Sequence, residues 1–329
     1  MLADGVWGSG SGRRNGQGGG PAAGLRGWVL AVRRKMGGVR DVTVECVVDC
    51  RNKLGEVPVW DVAEQALYWV DIEGRLLQRL EPATGRLDRW EMPERIACFA
   101  LREKGGLIVG FASGIAFYDL DTGAIDWIAR PEADRNTRFN EGKCDRQGRF
   151  WTGTMDDSLA EHDGALYRVD PDLTVTRVLG NVGISNTMVW SLDDRSFYFA
   201  DTLDGRIDRF DFDAVSGNLS NRRPVIDLSG TGIGPDGSTI DTDGYIWNAQ
   251  WDGWRLARYS PDGELDRIVE LPVQKPTSCM FGGADLRTLY VTTAIWDLTP
   301  EQLRAQPQAG GLFAVDVGIG GVPESRFAG

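Results

Sequence analysis

Four oxygen-bearing side chains, Glu56, Asn140, Asn186 and Asp236, recur along the chain at nearly constant intervals. With Cys98 and Cys279 they form a series spaced 42, 42, 46, 50 and 43 residues apart, each member 9–11 residues ahead of a short apolar-aromatic run. If the repeats close into a ring, equivalent side chains meet at one mouth of the central channel. Oxygen donors converging from separate repeats make a site for a hard divalent cation. Asn and Asp also cap turns wherever they occur, but a turn role does not call for four of them in phase. The two cysteines of the series are expected to pack as small apolar groups. Arg138 stands two residues before Asn140, and residues two apart in a strand share one side. The pair would offer hydrogen-bond donors to a polyhydroxylated or carbonyl-bearing ligand.

The rest of the reactive inventory excludes several chemistries. His162 is the sole histidine in 329 residues, so zinc sites built on two or three histidines cannot form within one chain. A Ser-His-Asp scheme would have to use His162, which sits in the polar run Ala160-Glu161-His162-Asp163-Gly164 and reads as a surface loop. The five cysteines (Cys46, Cys50, Cys98, Cys144, Cys279) are odd in number, scattered and without a CxxC pair. This predicts reduced thiols and a cytoplasmic protein. Net charge is -12. Residues 1–40 hold seven basic residues and one acidic, leaving -18 on the remainder. An acidic body repels phosphate backbones and argues against nucleic acid as a partner. No apolar run approaches the roughly 20 residues of a membrane span. Oligomeric state has no signature in the sequence.

The elements that would position these residues are short strands. From about residue 41, apolar-aromatic runs alternate with Gly, Asp, Asn and Pro turns, and only Thr299 to Gln306 carries a helical pattern. Six runs contain the anchor residues Leu67, Leu107, Phe150, Phe197, Ile246 and Leu289, spaced 40, 43, 47, 49 and 43 apart. Most are followed by a further strand and an acidic turn such as Tyr118-Asp119-Leu120-Asp121-Thr122-Gly123. Six antiparallel units of this period predict an all-β fold, a six-bladed β-propeller, over residues 41–329. Residues 1–40, with 12 glycines in the first 38, read as a disordered Gly/Arg-rich extension, or as an upstream start ahead of a natural one at Met36. The short patch Trp28-Val29-Leu30-Ala31-Val32 is no signal-peptide core.

The segments Leu54-Gly55-Glu56-Val57-Pro58-Val59-Trp60, Arg138-Phe139-Asn140-Glu141-Gly142-Lys143-Cys144-Asp145, Gly148 to Met155, Ile184-Ser185-Asn186 and Pro235-Asp236-Gly237 give the chain its resemblance to the SMP-30/gluconolactonase/LRE family of regucalcin-like sugar lactonases. The match runs over residues 50–315. The resemblance implies one divalent metal ion, Ca²⁺, Zn²⁺, Mn²⁺, Mg²⁺ or Fe²⁺, held by Glu56, Asn186 and Asp236. It implies substrate contacts from Arg138 and Asn140, and a small-molecule substrate, a sugar aldonolactone opened by hydrolysis. A further acidic substrate contact falls near Asp156 or Asp157. Two positions depart from the family: Glu141 stands where Asp is frequent, and Thr187 where Gly is frequent.

A lactone is an activated ester, so metal polarisation of its carbonyl and one general base suffice. With His162 away from the ring series, a carboxylate must be that base, and Asp236 is the expected catalytic residue. The alternatives are a calcium-dependent esterase or phosphotriesterase and a non-catalytic metal- or ligand-binding propeller. The first usually needs a second calcium or a histidine near the metal. The second needs no oriented Arg138/Asn140 pair.

Overall fold

The computed structural model describes residues 42–329; the extension expected over 1–40 lies outside the described residues. The chain forms six four-stranded antiparallel sheets. Blade 1 runs from Gly55 to Glu91, blade 2 from Ile96 to Ala129, blade 3 from Thr137 to Val182, blade 4 from Ser185 to Asp227 and blade 5 from Gly234 to Glu270. Blade 6 takes Pro276–Gly282, Thr288–Thr293 and Leu312–Asp316 from the end of the chain, and its outer strand, Val44–Val48, from the beginning. Val44 lies opposite Val315 and Cys46 opposite Phe313. The first strand of each blade packs beside the first strands of its two neighbours. The molecule is the six-bladed propeller that the repeat predicted, and ring closure removes the exposed edges that so many strands would otherwise present.

Burial follows position in the blade. The first strands Gly55–Asp61, Ile96–Leu101 and Ser185–Trp190 are buried along their whole length, whereas the outermost strand Arg86–Glu91 is buried at no residue. The anchor residues lie in the second strands, where Trp69, Trp151 and Trp247 are fully buried. Side chains standing off both faces of these inner strands fill the wedges between blades. The one helix among the described residues, Pro300–Ala305, has a capping box: Gln302 N donates to Thr299 Oγ1 (3.3 Å) and Thr299 N to Gln302 Oε1 (2.8 Å). No helix among the described residues is long and apolar enough to cross a membrane. All five cysteines are free.

Beyond Asp316 the chain straps across the ends of the inner strands away from Glu56. Thr242 N donates to Gly320 O (2.9 Å), Gly321 N to Leu286 O (2.8 Å), Phe327 N to Leu101 O (2.9 Å) and Ala328 N to Gly148 O (3.0 Å). Ion pairs join Lys143 to Glu324 (3.3 Å) and Asp61 to Arg326 (2.6 Å). Phe327 is fully buried, with its ring 6.0 Å from that of Phe117. The segment thus ties blades 1, 2, 3, 5 and 6 together independently of the strand Val44–Val48. Phe327→Ala should cost about 3–5 kcal/mol of stability, the usual range for emptying a buried aromatic site. Urea denaturation measures it, and an unchanged midpoint would contradict the strap.

Candidate metal and substrate site

Every inner strand breaks register near the mouth of the channel. The breaks fall between Glu56 and Val59, Ile96 and Cys98, Phe139 and Gly142, Asn186 and Val189, Pro235 and Ser238, and Pro276 and Ser278. A bulge inserts unpaired residues and re-aims side chains that regular pleating would turn away. Glu56, Asn140, Asn186 and Asp236 all lie at these breaks. In blades 2 and 6 the break holds Ala97 and Thr277, so the six-membered series of the sequence is corrected there. Cys98 and Cys279 lie beyond the breaks, buried between blades. Their Sγ atoms are 3.1 Å from Thr152 Oγ1 and 3.3 Å from Trp247 O, and burial pushes both thiols up to about 12.

Two bulges are strained. Of the fourteen non-glycine residues with positive φ among the described residues, only Val57 and Thr187 are β-branched; both have φ 47° and each directly follows a predicted ligand, Glu56 or Asn186. A β-branched residue in this region is an outlier and costs of order 1–3 kcal/mol. The surrounding structure enforces it. Asp71 accepts from the amides of Lys53 and Leu54 (3.0 and 2.9 Å), and Asp201 from those of Gly183 and Ile184 (2.8 and 3.0 Å), pinning the segments that enter the two strands. Opposite the Asn140–Glu141 bulge stands Gly153, where a Cβ would collide with Ser185 Oγ.

Three carboxylates are buried at this mouth: Glu56 (4% exposed), Glu141 (3%) and Asp236 (4%). Each accepts a hydrogen bond from the amide of the next residue, Val57 (3.3 Å), Gly142 (3.1 Å) and Gly237 (3.1 Å) respectively. The cations whose charge reaches them are engaged elsewhere: Arg138 with Asp157 (3.4 Å), Lys143 with Glu324 (3.3 Å) and Lys275 with Asp252 (2.8 Å). Burial drives all three carboxyls upward. The charges of Asp236 and Glu141 raise Glu56 further, and that of Glu141 raises Asp236. Asn186 donates through Nδ2 to Thr202 Oγ1 (2.8 Å), and its Oδ1 lies 3.3 Å from Asn140 Nδ2. Buried carboxylates without an ion partner beside an oriented amide oxygen fit a hard divalent cation, and Glu56, Asn186 and Asp236 could hold one.

Arg138 and Asn140 meet as the two-residue spacing predicted. Arg138 Nη1 donates to Asn140 Oδ1 (2.8 Å), and Asn140 Nδ2 to Ser185 O (2.9 Å). The two acidic residues left open by the sequence have separate places. Asp156 is committed to its own loop, accepting from Ser158, Ala160 and Glu161, and these bonds hold its carboxyl far below the usual range. Asp157 turns toward Arg138 and is gripped by Arg95 at 2.7 and 2.9 Å, while Arg95 also reaches Glu73 (3.1 Å). No motif marked Arg95 or Glu73, which come from connecting loops. Glu141 escaped notice as a site group for another reason: period-two alternation turns it away from Asn140, and the bulge cancels that alternation. His162 lies on an exposed loop, 2.9 Å from Asp204 and 3.9 Å from Asp201. This is the only group of three His, Cys, Asp or Glu side chains with ligand atoms within 4.8 Å among the described residues. It lies apart from the three carboxylates, and Asp201 already serves the backbone.

Residues 54–295 match the SMP-30/gluconolactonase/LRE-like region. Regucalcin of Gallus gallus is 39% identical over 296 residues, covering 88% of this chain and 99% of the relative. The L-arabinolactonase of Azospirillum brasilense is 40% identical over 288 residues, covering 86% and 95%. A solved structure described as a calcium-binding protein, regucalcin, from Agrobacterium tumefaciens superposes with a TM-score of 0.82 at 30% identity, covering 86% of this chain and 96% of that one.

The raised carboxyls fix the sign of a pH effect. A carboxyl whose folded-state pKa lies above its unfolded value stabilises the fold while protonated, and that contribution is lost as pH rises through the folded value. Chelator-treated protein should therefore lose thermal stability from mildly acidic to neutral pH. Asp236→Asn should blunt this loss and melt above the wild type at neutral pH in chelator, while a divalent cation should restore the wild type and not the variant. Identical pH profiles for the two proteins would contradict the assignment.

Proposed function

Since the chain belongs to the SMP-30/gluconolactonase/LRE-like family, we propose that it is a metal-dependent lactonase that hydrolyses sugar aldonolactones to aldonic acids. The observation that carries this reading is the juxtaposition of buried carboxylates lacking ion partners with the Arg138–Asn140 pair at one mouth of the channel. A divalent cation held by Glu56, Asn186 and Asp236 would polarise the lactone carbonyl and offset the charge that develops on its oxygen.

The protein's own groups do the rest. Arg138 and Asn140 face the substrate hydroxyls and fix the ring relative to Asp236. Asp157 and Arg95 hold the Arg138 guanidinium in place. Asp236 takes a proton from water as the water oxygen bonds to the carbonyl carbon. The ring C–O bond then breaks, and the proton passes to the departing alkoxide, giving the hydroxy acid.

The direct test is lactone opening on xylono-, arabinono-, galactono- and gluconolactone after chelation, and again with single metals restored. Opening above the spontaneous rate is expected only with metal. Asp236→Ala should abolish it, and full activity in that variant would contradict the base assignment. Asn140→Ala should act mainly on KM, by roughly fivefold for the loss of a hydrogen bond worth about 1 kcal/mol.

A further inference from the structure

Thr187 occupies a position where its backbone is strained and its side chain has a complete set of partners. Its φ is 47° and it is fully buried. Its Oγ1 donates to Asp236 O (2.5 Å) and lies 2.8 Å from Ser238 Oγ. Asn248 Nδ2 reaches Thr187 Oγ1 (3.3 Å), Asp236 O (2.9 Å) and Ser238 Oγ (3.0 Å). A threonine hydroxyl has one proton to give and two lone pairs to fill. Here the proton goes to Asp236 O, and the lone pairs face Ser238 Oγ and Asn248 Nδ2.

The placement links two blades. Thr187 follows Asn186 in blade 4, and the carbonyl it holds belongs to Asp236 in blade 5. One hydroxyl therefore ties the backbone of one proposed ligand to that of the other, across the gap between blades and within the two bulges. Glycine would adopt the same backbone without strain but would leave Ser238 and the Asp236 carbonyl each short of a partner. The unfavourable φ is retained alongside a side chain that glycine cannot supply, the pattern expected where strain serves a function.

We infer that Thr187 is a positioning residue: its hydroxyl sets the spacing between Asn186 and Asp236, and so the fit of the site to its cation. This rests on the metal-site reading above, and its test has an arm that needs neither metal nor substrate. The variants are Thr187→Ser, which keeps the hydroxyl, Thr187→Gly, which relieves the strain but removes the hydroxyl, and Thr187→Val, which keeps the shape alone. In chelator-treated full-length protein, hydrogen–deuterium exchange across Gly234–Ile240 should speed up in Thr187→Gly and stay at the wild-type rate in Thr187→Ser. Titrating Ca²⁺, and separately Mn²⁺, into the same proteins by calorimetry should give a Kd about 10-fold weaker for Thr187→Gly, the lower end of what losing an outer-shell partner costs. Thr187→Ser should bind as the wild type does. Thr187→Val should be the weakest binder, and if it does not fold, the Gly and Ser variants carry the comparison. Wild-type exchange in Thr187→Gly would overturn the inference, whether or not the protein opens lactones. Wild-type affinity in Thr187→Gly would overturn it equally, and a Thr187→Ser protein as impaired as Thr187→Gly would do the same. A wild type that binds neither ion would sink the metal reading and leave the exchange result to decide the positioning.

Discussion

Three carboxylates are withdrawn from water at one mouth of the channel, and the fold has to meet the cost of holding them there. Even after relaxation, burying one ion without a partner carries a penalty of several kcal/mol; the charges of Asp236 and Glu141 add to that of Glu56, and the charge of Glu141 adds to that of Asp236. Nearby cations could relieve this, yet Arg138, Lys143 and Lys275 are each paired with a carboxylate outside the group. Protons or a bound cation would relieve that penalty. A structural ion-pair network differs in that its partners are already present.

The propeller supplies what such a cluster needs. Equivalent positions of six blades are brought to one axis by the ring, and a bulge in each inner strand lets a side chain that pleating would aim sideways face that axis. The bulges are held from behind by buried polar groups: Asp71 and Asp201 under the entering segments, and Thr187, Ser238 and Asn248 around the Asp236 carbonyl. At the far end of the inner strands, the segment from Gly320 to Ala328 bridges five blades. Closure of the ring, enforcement of the bulges and convergence of the buried carboxylates are thus one mechanical problem.

Much of this was legible in the sequence. The period of the anchors Leu67 to Leu289 gave the blade count, because each blade must repeat its buried second strand. Glu56, Asn140, Asn186 and Asp236 stood in phase because each sits at the same bulge. The phase failed for Cys98 and Cys279 because both follow the extra residue of their strand and have rejoined the ladder, opposite Gly110 and Val291. Glu141 could not be read as a site group, since a bulge is invisible to a period-two argument. Arg95, Glu73 and the C-terminal segment reach their places through tertiary contacts that no local pattern encodes. Thr187 was visible as a departure from the family, but its meaning required the positive φ and the carbonyl of the next blade.

Under the proposed function, Glu56, Asn186 and Asp236 hold a divalent cation at the mouth of the channel. Anomalous scattering from crystals of the full chain soaked in Mn²⁺ tests it most directly. One strong peak is expected within about 2.0–2.6 Å of oxygens from all three side chains, the range of hard-cation–oxygen distances. Density confined to the exposed His162, Asp201 and Asp204 group, or no peak among the three carboxylates, would contradict it.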